Sequence, residues 1–143
     1  MKKLFMPALV LAIIFGYQYW QIVDVSSEVE TSLHNPARSA AESIWRSGSQ
    51  VSATGTVDRV LSDDNDGSRH QRFILRLSSG RSVLVAHNID LAPRIRSIAE
   101  GDTVSFYGQF ETNDRGGVIH WTHRDPQGRH VDGWLRHNGR RYQ

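Results

Sequence analysis

Residues 51–61 read VSATGTVDRVL, and this stretch decides the fold. Val51, Ala53, Gly55 and Val57 recur at every second position, so an extended strand would be apolar on one face and polar on the other. Val60 and Leu61 resume the apolar set out of phase, which predicts a bulge near Arg59 and a strand that curls as a barrel requires. The same period continues downstream. Phe73, Leu75 and Leu77 alternate with Arg72, Ile74 and Arg76, Ser79-Gly80 supplies a tight turn, and residues 82–87 return as the hairpin partner. Asn88 to Ala99 then carries Leu91, Ile95 and Ile98 at helical spacing, with Asp90 as N-cap, Pro93 in the first turn and Gly101 past the end, which predicts a helix. Val104, Phe106, Gly108 and Phe110 form a fourth strand, and residues 118–123 form a fifth after the turn at 113–117. Three meandering strands, a helix and two more strands is the order of the OB barrel. The expected class is therefore all-β: a small five-stranded OB-like barrel over residues 51–143, with one helix between strands 3 and 4.

The acidic turn Asp63-Asp64-Asn65-Asp66-Gly67 separates the first strand from the second. With Gly67 at position six of an EF-hand loop, Phe73 would stand where a bidentate Glu is required, so that calcium motif is excluded.

Upstream of the barrel, Asn35-Pro36 gives an N-cap followed by a first-turn proline. Ala37, Ala40, Ala41, Ile44 and Trp45 then share one helical face, predicting an amphipathic helix of about three turns that Gly48 closes and that lies on the domain as a lid. Residues 26–50 are thus a polar linker plus this helix. Lys2 and Lys3 precede an uncharged, mostly apolar run from Leu4 to Val23, the layout of a secretory signal or a membrane anchor occupying residues 1–25. The run approaches the ~20 residues that span a bilayer, and Tyr17, Tyr19 and Trp20 suit an interfacial belt. The expectation is an inner-membrane anchor with the domain in the periplasm, or release into the periplasm if the segment is cleaved.

Composition narrows the chemistry. The chain has 143 residues, room for one modest domain behind the N-terminal segment, and a formal charge of +2. Its only lysines are Lys2 and Lys3, so every later base is an arginine, whose donor fork suits carboxylate and phosphate. There is no cysteine, which removes disulfides, thiolate metal sites and thiol nucleophiles; a transition metal would have to rest on His, Asp and Glu. No nucleophile elbow, phosphate loop or dinucleotide fingerprint is present.

The remaining chemistry is concentrated at the C-terminal end. Residues 116–143, GGVIHWTHRDPQGRHVDGWLRHNGRRYQ, hold four of the seven histidines. His120 and His123 would face opposite sides of a straight strand, but can meet if the strand ends at Trp121. Asp125-Pro126-Gln127-Gly128 is a turn sequence that brings His130 back toward them, and Asn138-Gly139 predicts a terminal type I′ hairpin, with Trp134 expected in the core. The candidate ligand-binding residues are His87, His120, Trp121, His123, Arg124, Asp125, Arg129 and His130. His120, His123 and His130 could hold a divalent metal such as zinc, as three-histidine sites do; the other reading is that these imidazoles hydrogen-bond to turn backbone.

The segments VLVAHNIDLAPRI, GDTVSFYGQF and the C-terminal string with its HWTHxDPxxRHxxGW pattern resemble those of a bacterial family of small exported proteins catalogued as a domain of unknown function. The resemblance implies a compact domain behind a signal or anchor, with His87, Asn88, Asp90, His120, Trp121, His123, Asp125, Pro126, His130, Gly133 and Trp134 in its characteristic strings. It implies no catalytic assignment. The leading functional expectation is a non-enzymatic OB-like binding module for an anionic or sugar-like ligand or an envelope protein partner, with Arg72, Arg76 and Arg81 near the barrel face and Trp121 and Tyr107 as stacking planes. Nucleic acid is less favoured because export removes the domain from the genome. The alternative is a metal-dependent hydrolase of the nuclease or phosphodiesterase type, with an arginine such as Arg124 or Arg129 steadying the substrate.

Overall fold

A computed structural model describes residues 36–143, which form one compact unit, Pro36–Gln143. The expected anchor or signal lies outside the described residues; among those described, no helix is long and apolar enough to cross a membrane.

The elements are α1 (Pro36–Ser43), β1 (Ser49–Val60), β2 (His70–Leu77), β3 (Ser82–Asn88), β4 (Thr103–Glu111), β5 (Val118–His120), β6 (Trp134–His137) and β7 (Arg140–Tyr142). The strands pair in the order β1-β2-β3-β5-β4, and β4 returns to β1, closing a five-stranded barrel. All these pairs are antiparallel except β3 with β5, where Leu84 stands opposite Val118. This is the OB-like barrel the apolar alternation predicts. The bulge falls between Val57 and Arg59, where β1 must bend to pair with β2 along one half and with β4 along the other.

One face of each strand fills the barrel. Val57, Phe73, Leu75, Val85, Val104, Phe106, Phe110, Ile119 and Leu135 are all buried in it. Gly55 and Gly108 lie on these inward rows because a Cβ would strike the backbone oxygens of Arg76 and His120 respectively. The hairpin β6–β7 does not close the barrel. It extends β4 along the edge left free where β5 stops: β5 pairs with Gln109 to Glu111, and β6 with Val104 to Tyr107.

Three expectations need correction. First, the helix expected over Asn88 to Ala99 does not form: Asn88 ends β3, and residues 89–99 are turns and irregular chain. The buried Gln71 side chain hydrogen-bonds both the N–H and the C=O of Ile95, so these peptide groups are satisfied across the barrel instead of along a helix. Ile95 is buried, while Leu91 is exposed. Second, α1 is shorter than about three turns, and Ala40, Ala41 and Ile44 are exposed. What packs is Glu42 and Trp45. Glu42 accepts from the hydroxyls of Ser78 and Ser79, its carbonyl accepts from Arg81 at 2.8 Å, and Trp45 lies against Phe106 and Phe110. Third, Trp134 is half-buried on the outer face, because Leu135, opposite Phe106 and Tyr142, takes the inward position. Trp134 sits beside Tyr107, with the guanidiniums of Arg136 and Arg141 over its ring.

Candidate functional site

The site begins where β5 ends. The strand stops at His120, three residues earlier than expected, because Trp121 takes a left-handed backbone conformation with φ of 52°. For a tryptophan this conformation costs on the order of 1 kcal/mol or more and persists only where the surroundings impose it. The imposing neighbour is Gly133: a Cβ there would overlap the carbonyl oxygens of Trp121 and Tyr107, so only glycine lets the returning chain close on the turn. Gly133 N–H also donates to the His123 carbonyl at 2.9 Å.

Between these anchors the chain makes a loop organised by Asp125. Its carboxylate accepts from the backbone N–H groups of Gln127, Arg129 and His130, while its own N–H donates to Asp132. These backbone donors, the one from Gln127 first, hold the Asp125 carboxyl below its ordinary range. The predicted reversal therefore forms, with a Gly128 to Asp125 turn bond, and returns His130 to Trp121, where imidazole and indole stack with centroids 3.6 Å apart. Asp125 shapes the loop through these bonds. Arg124 and Arg129 are exposed, and the Arg124 guanidinium lies against the side-chain amide of Gln143.

The left-handed turn sends Thr122 inward and buries His123 behind the cleft that His120 lines on the outer face. Thr122 meets His87, which is wholly buried at the inner end of β3. His87 Nε2 lies 3.2 Å from the Pro93 carbonyl, which can only accept, so Nε2 carries the proton and Nδ1 accepts from the Thr122 hydroxyl at 2.8 Å. Burial lowers the His87 pKa to about 4, so the ring is neutral at physiological pH and serves as a structural link between β3, β5 and the following loop.

On the outer face, His70, Ala86, Asn88, Leu91, His120, Trp121 and His123 line a cleft of about 180 Å³. His70 and Asn88 face each other across the β2–β3 pair. Both His70 and His123 hold Nδ1 against a backbone carbonyl, of Ser68 and Arg124, at 2.8 and 2.7 Å. In the neutral rings Nδ1–H donates, so each Nε2 remains an acceptor. Burial, and then the neighbouring His70, lower the His120 pKa, favouring its neutral form as well. Asn88 Oδ1 accepts from the Asp90 N–H, which leaves its amide NH₂ as a donor. The cleft therefore joins an indole to imidazole nitrogens and an amide donor.

Of the sequence-derived candidates, the structure brings His120, Trp121, His123 and His130 together, keeps His87 behind them, and assigns Asp125 to the loop. His120, His123 and His130 are not arranged as metal ligands: among the described residues no group of three or more His, Asp or Glu side chains is placed to hold a metal ion. His70, Asn88 and Leu91 complete the cleft without being among the candidates. The signal for His70 is available only through strand register, which pairs it with Asn88 from the far end of the hairpin.

No curated protein and no solved structure matches the chain. The model of a family described as protein of unknown function, DUF3465, matches residues 23–143, most of the sequence, and the chain belongs to that family.

Proposed function

We propose that this protein is an exported OB-type binding module, and that its cleft at Trp121 takes a sugar-like, hydroxyl-rich ligand. The observation that carries the reading is Trp121 itself: a large aromatic residue kept in a left-handed turn at the mouth of a cleft lined by three imidazoles and an amide. Strain of this kind concentrates at binding sites because the fold over-determines it there. A sugar offers apolar C–H faces to an indole, and its hydroxyls can donate to imidazole Nε2 and accept from Asn88. An anion fits the same cleft less well, since burial favours the neutral form of His120, whose lone pair repels it.

The cleft lies on the outer face of strands 2 and 3, at His70, Ala86 and Asn88, the face by which OB barrels bind, and is completed by residues at and after the end of β5. The same outer face continues from the cleft past Ile74 and Leu84 to a groove bounded by Leu61 on one side and by Asn113 and Arg115 on the other. The arginines of β2 are already engaged, Arg72 with the Ser62 carbonyl and Arg76 with Asp58, which weakens the case for a nucleic-acid backbone on this face. Titration of the protein with neutral oligosaccharides, N-acetylglucosamine oligomers among them, tests the reading by NMR. Saturable shifts at His70, Asn88, His120 and Trp121 are expected; a panel that leaves these signals unmoved refutes it.

Export is part of the proposal and rests on Lys2-Lys3 and the uncharged run from Leu4 to Val23. A periplasmic reporter fused after Gln143 should be active and should fractionate with membranes if the segment is retained. A cytoplasmic product with an intact N-terminus refutes this half of the reading.

A further inference from the structure

A second concave site lies away from the Trp121 cleft and shares no lining residue with it. Pro93, Arg94, Arg96, Ser97, Arg140 and Tyr142 enclose about 360 Å³ between the β3–β4 connection and the C-terminal hairpin. The arrangement follows from how the two segments are held. The Gln71 side chain fixes Ile95 inward by two hydrogen bonds, so Arg94 and Arg96, its immediate neighbours, stay exposed on either side of it. Arg140 reaches the pocket from β7, where it pairs with His137, and its guanidinium lies over the Tyr142 ring at 5.1 Å.

Charge is the pocket's leading feature, since three of its six lining residues are arginines. Arg94 forms a two-pronged ion pair with Asp63, both bonds at 3.0 Å, whereas Arg96 and Arg140 enter no ion pair among the described residues. Three arginines thus line one concavity, and only Arg94 among them is matched by a carboxylate in an ion pair. Like charges repel, and a concave wall focuses their field, so the arrangement favours a bound anion over an empty pocket. Guanidinium forks match the paired oxygens of a tetrahedral oxyanion, the stack on Tyr142 preorganises one of them, and the Ser97 hydroxyl adds a donor. A phosphate alone would not fill the volume, which falls within the range of roughly 300 to 1,000 Å³ seen for small-molecule sites.

We propose that the pocket lined by Arg94, Arg96, Ser97, Arg140 and Tyr142 is a binding site for a phosphate group, carried by a small phosphorylated molecule. The site is independent of the sugar-like ligand assigned to the Trp121 cleft, and either can fail without the other.

The test uses the full chain purified in detergent, with backbone and arginine Nε–H signals followed by NMR. Inorganic phosphate and ribose 5-phosphate are titrated separately, with sodium chloride at matched ionic strength as the control. Saturable shifts confined to residues 93–97 and 140–142 are expected with phosphate species and not with chloride. A sugar phosphate that binds at least tenfold more tightly than inorganic phosphate supports the ester as the ligand; equal affinities overturn it. The double variant Arg96→Gln, Arg140→Gln should weaken binding at least tenfold, and Arg96→Gln alone, at an exposed side chain, should weaken it several-fold with an unchanged melting temperature. Shifts that follow ionic strength alike in phosphate and chloride, or wild-type affinity in Arg96→Gln and the double variant, overturn the proposal.

Discussion

Gln71 and Ile95 exchange two hydrogen bonds: the Gln71 amide donates to the Ile95 carbonyl at 2.8 Å, and its oxygen accepts from the Ile95 N–H at 2.8 Å. A side chain buried in the barrel thereby serves both backbone groups of one residue of the β3–β4 connection as a neighbouring strand would. The connection needs no helix, and its exposed arginines are left on the surface.

Gln71→Leu keeps the volume and removes both partners. Each buried backbone group left unsatisfied costs about 1 to 3 kcal/mol, so the variant should lose on the order of 2 to 5 kcal/mol of stability. Denaturant unfolding checks this. The amides of residues 93–97 should also lose hydrogen-exchange protection, and protection equal to wild type would show that the connection stands without the clamp.

Gly133 and Gly128 make a controlled comparison. A methyl group at 133 meets the backbone oxygens of Trp121 and Tyr107, which cannot move without disturbing β4, whereas at 128, with φ of 64°, it meets nothing within 4 Å. Gly128→Ala should cost about 1 kcal/mol from backbone strain alone. Gly133→Ala should cost about 3 kcal/mol or more through overpacking, and melting temperatures will rank the two. Equal losses would mean that the close approach at Trp121 does not hold the turn.

The buried His87 gives stability a defined pH dependence. Its pKa falls from 6.5 in the unfolded chain to about 4 in the fold, so between these values the unfolded state binds more protons and stability rises with pH. The contribution is complete above pH 6.5 and is lost as pH falls through this window toward 4, by about 3 kcal/mol at most. Asp90, Asp102 and Asp125, whose carboxyls lie below the ordinary range, lose their contribution only at still lower pH. An NMR titration of the His87 ring checks the assignment: a midpoint near 6.5 would place the ring in contact with water.

The alternating strands are legible in the sequence because each inward residue is apolar and each row has a period of two. The helix expected at Asn88 to Ala99 was imitated by Leu91, Ile95 and Ile98, whose spacing suits a helix although only Ile95 is fully buried. Its replacement depends on Gln71, 24 residues away, and no local pattern announces such a clamp. Trp134 and Leu135 are adjacent and both apolar, so local pattern leaves the parity of β6 open; pairing with Phe106 and Tyr142 decides it. For the site, the Asp125 to Gly128 reversal is readable from turn chemistry, but the ring that His130 stacks on is Trp121, not the expected His120 or His123. His70 is not readable, because it comes to His120 and Trp121 only through the β2–β3–β5 arrangement.

The central claim is that Trp121 is held in its turn to bind a ligand. Trp121→Gly tests it most directly, because glycine adopts the left-handed conformation without strain while the indole is lost. Oligosaccharide binding, measured by NMR on wild type and variant together with thermal melts, should disappear in Trp121→Gly while the melting temperature stays within a few degrees of wild type. Unchanged binding by the variant, or a wild-type protein that binds no member of the oligosaccharide panel, would contradict the account.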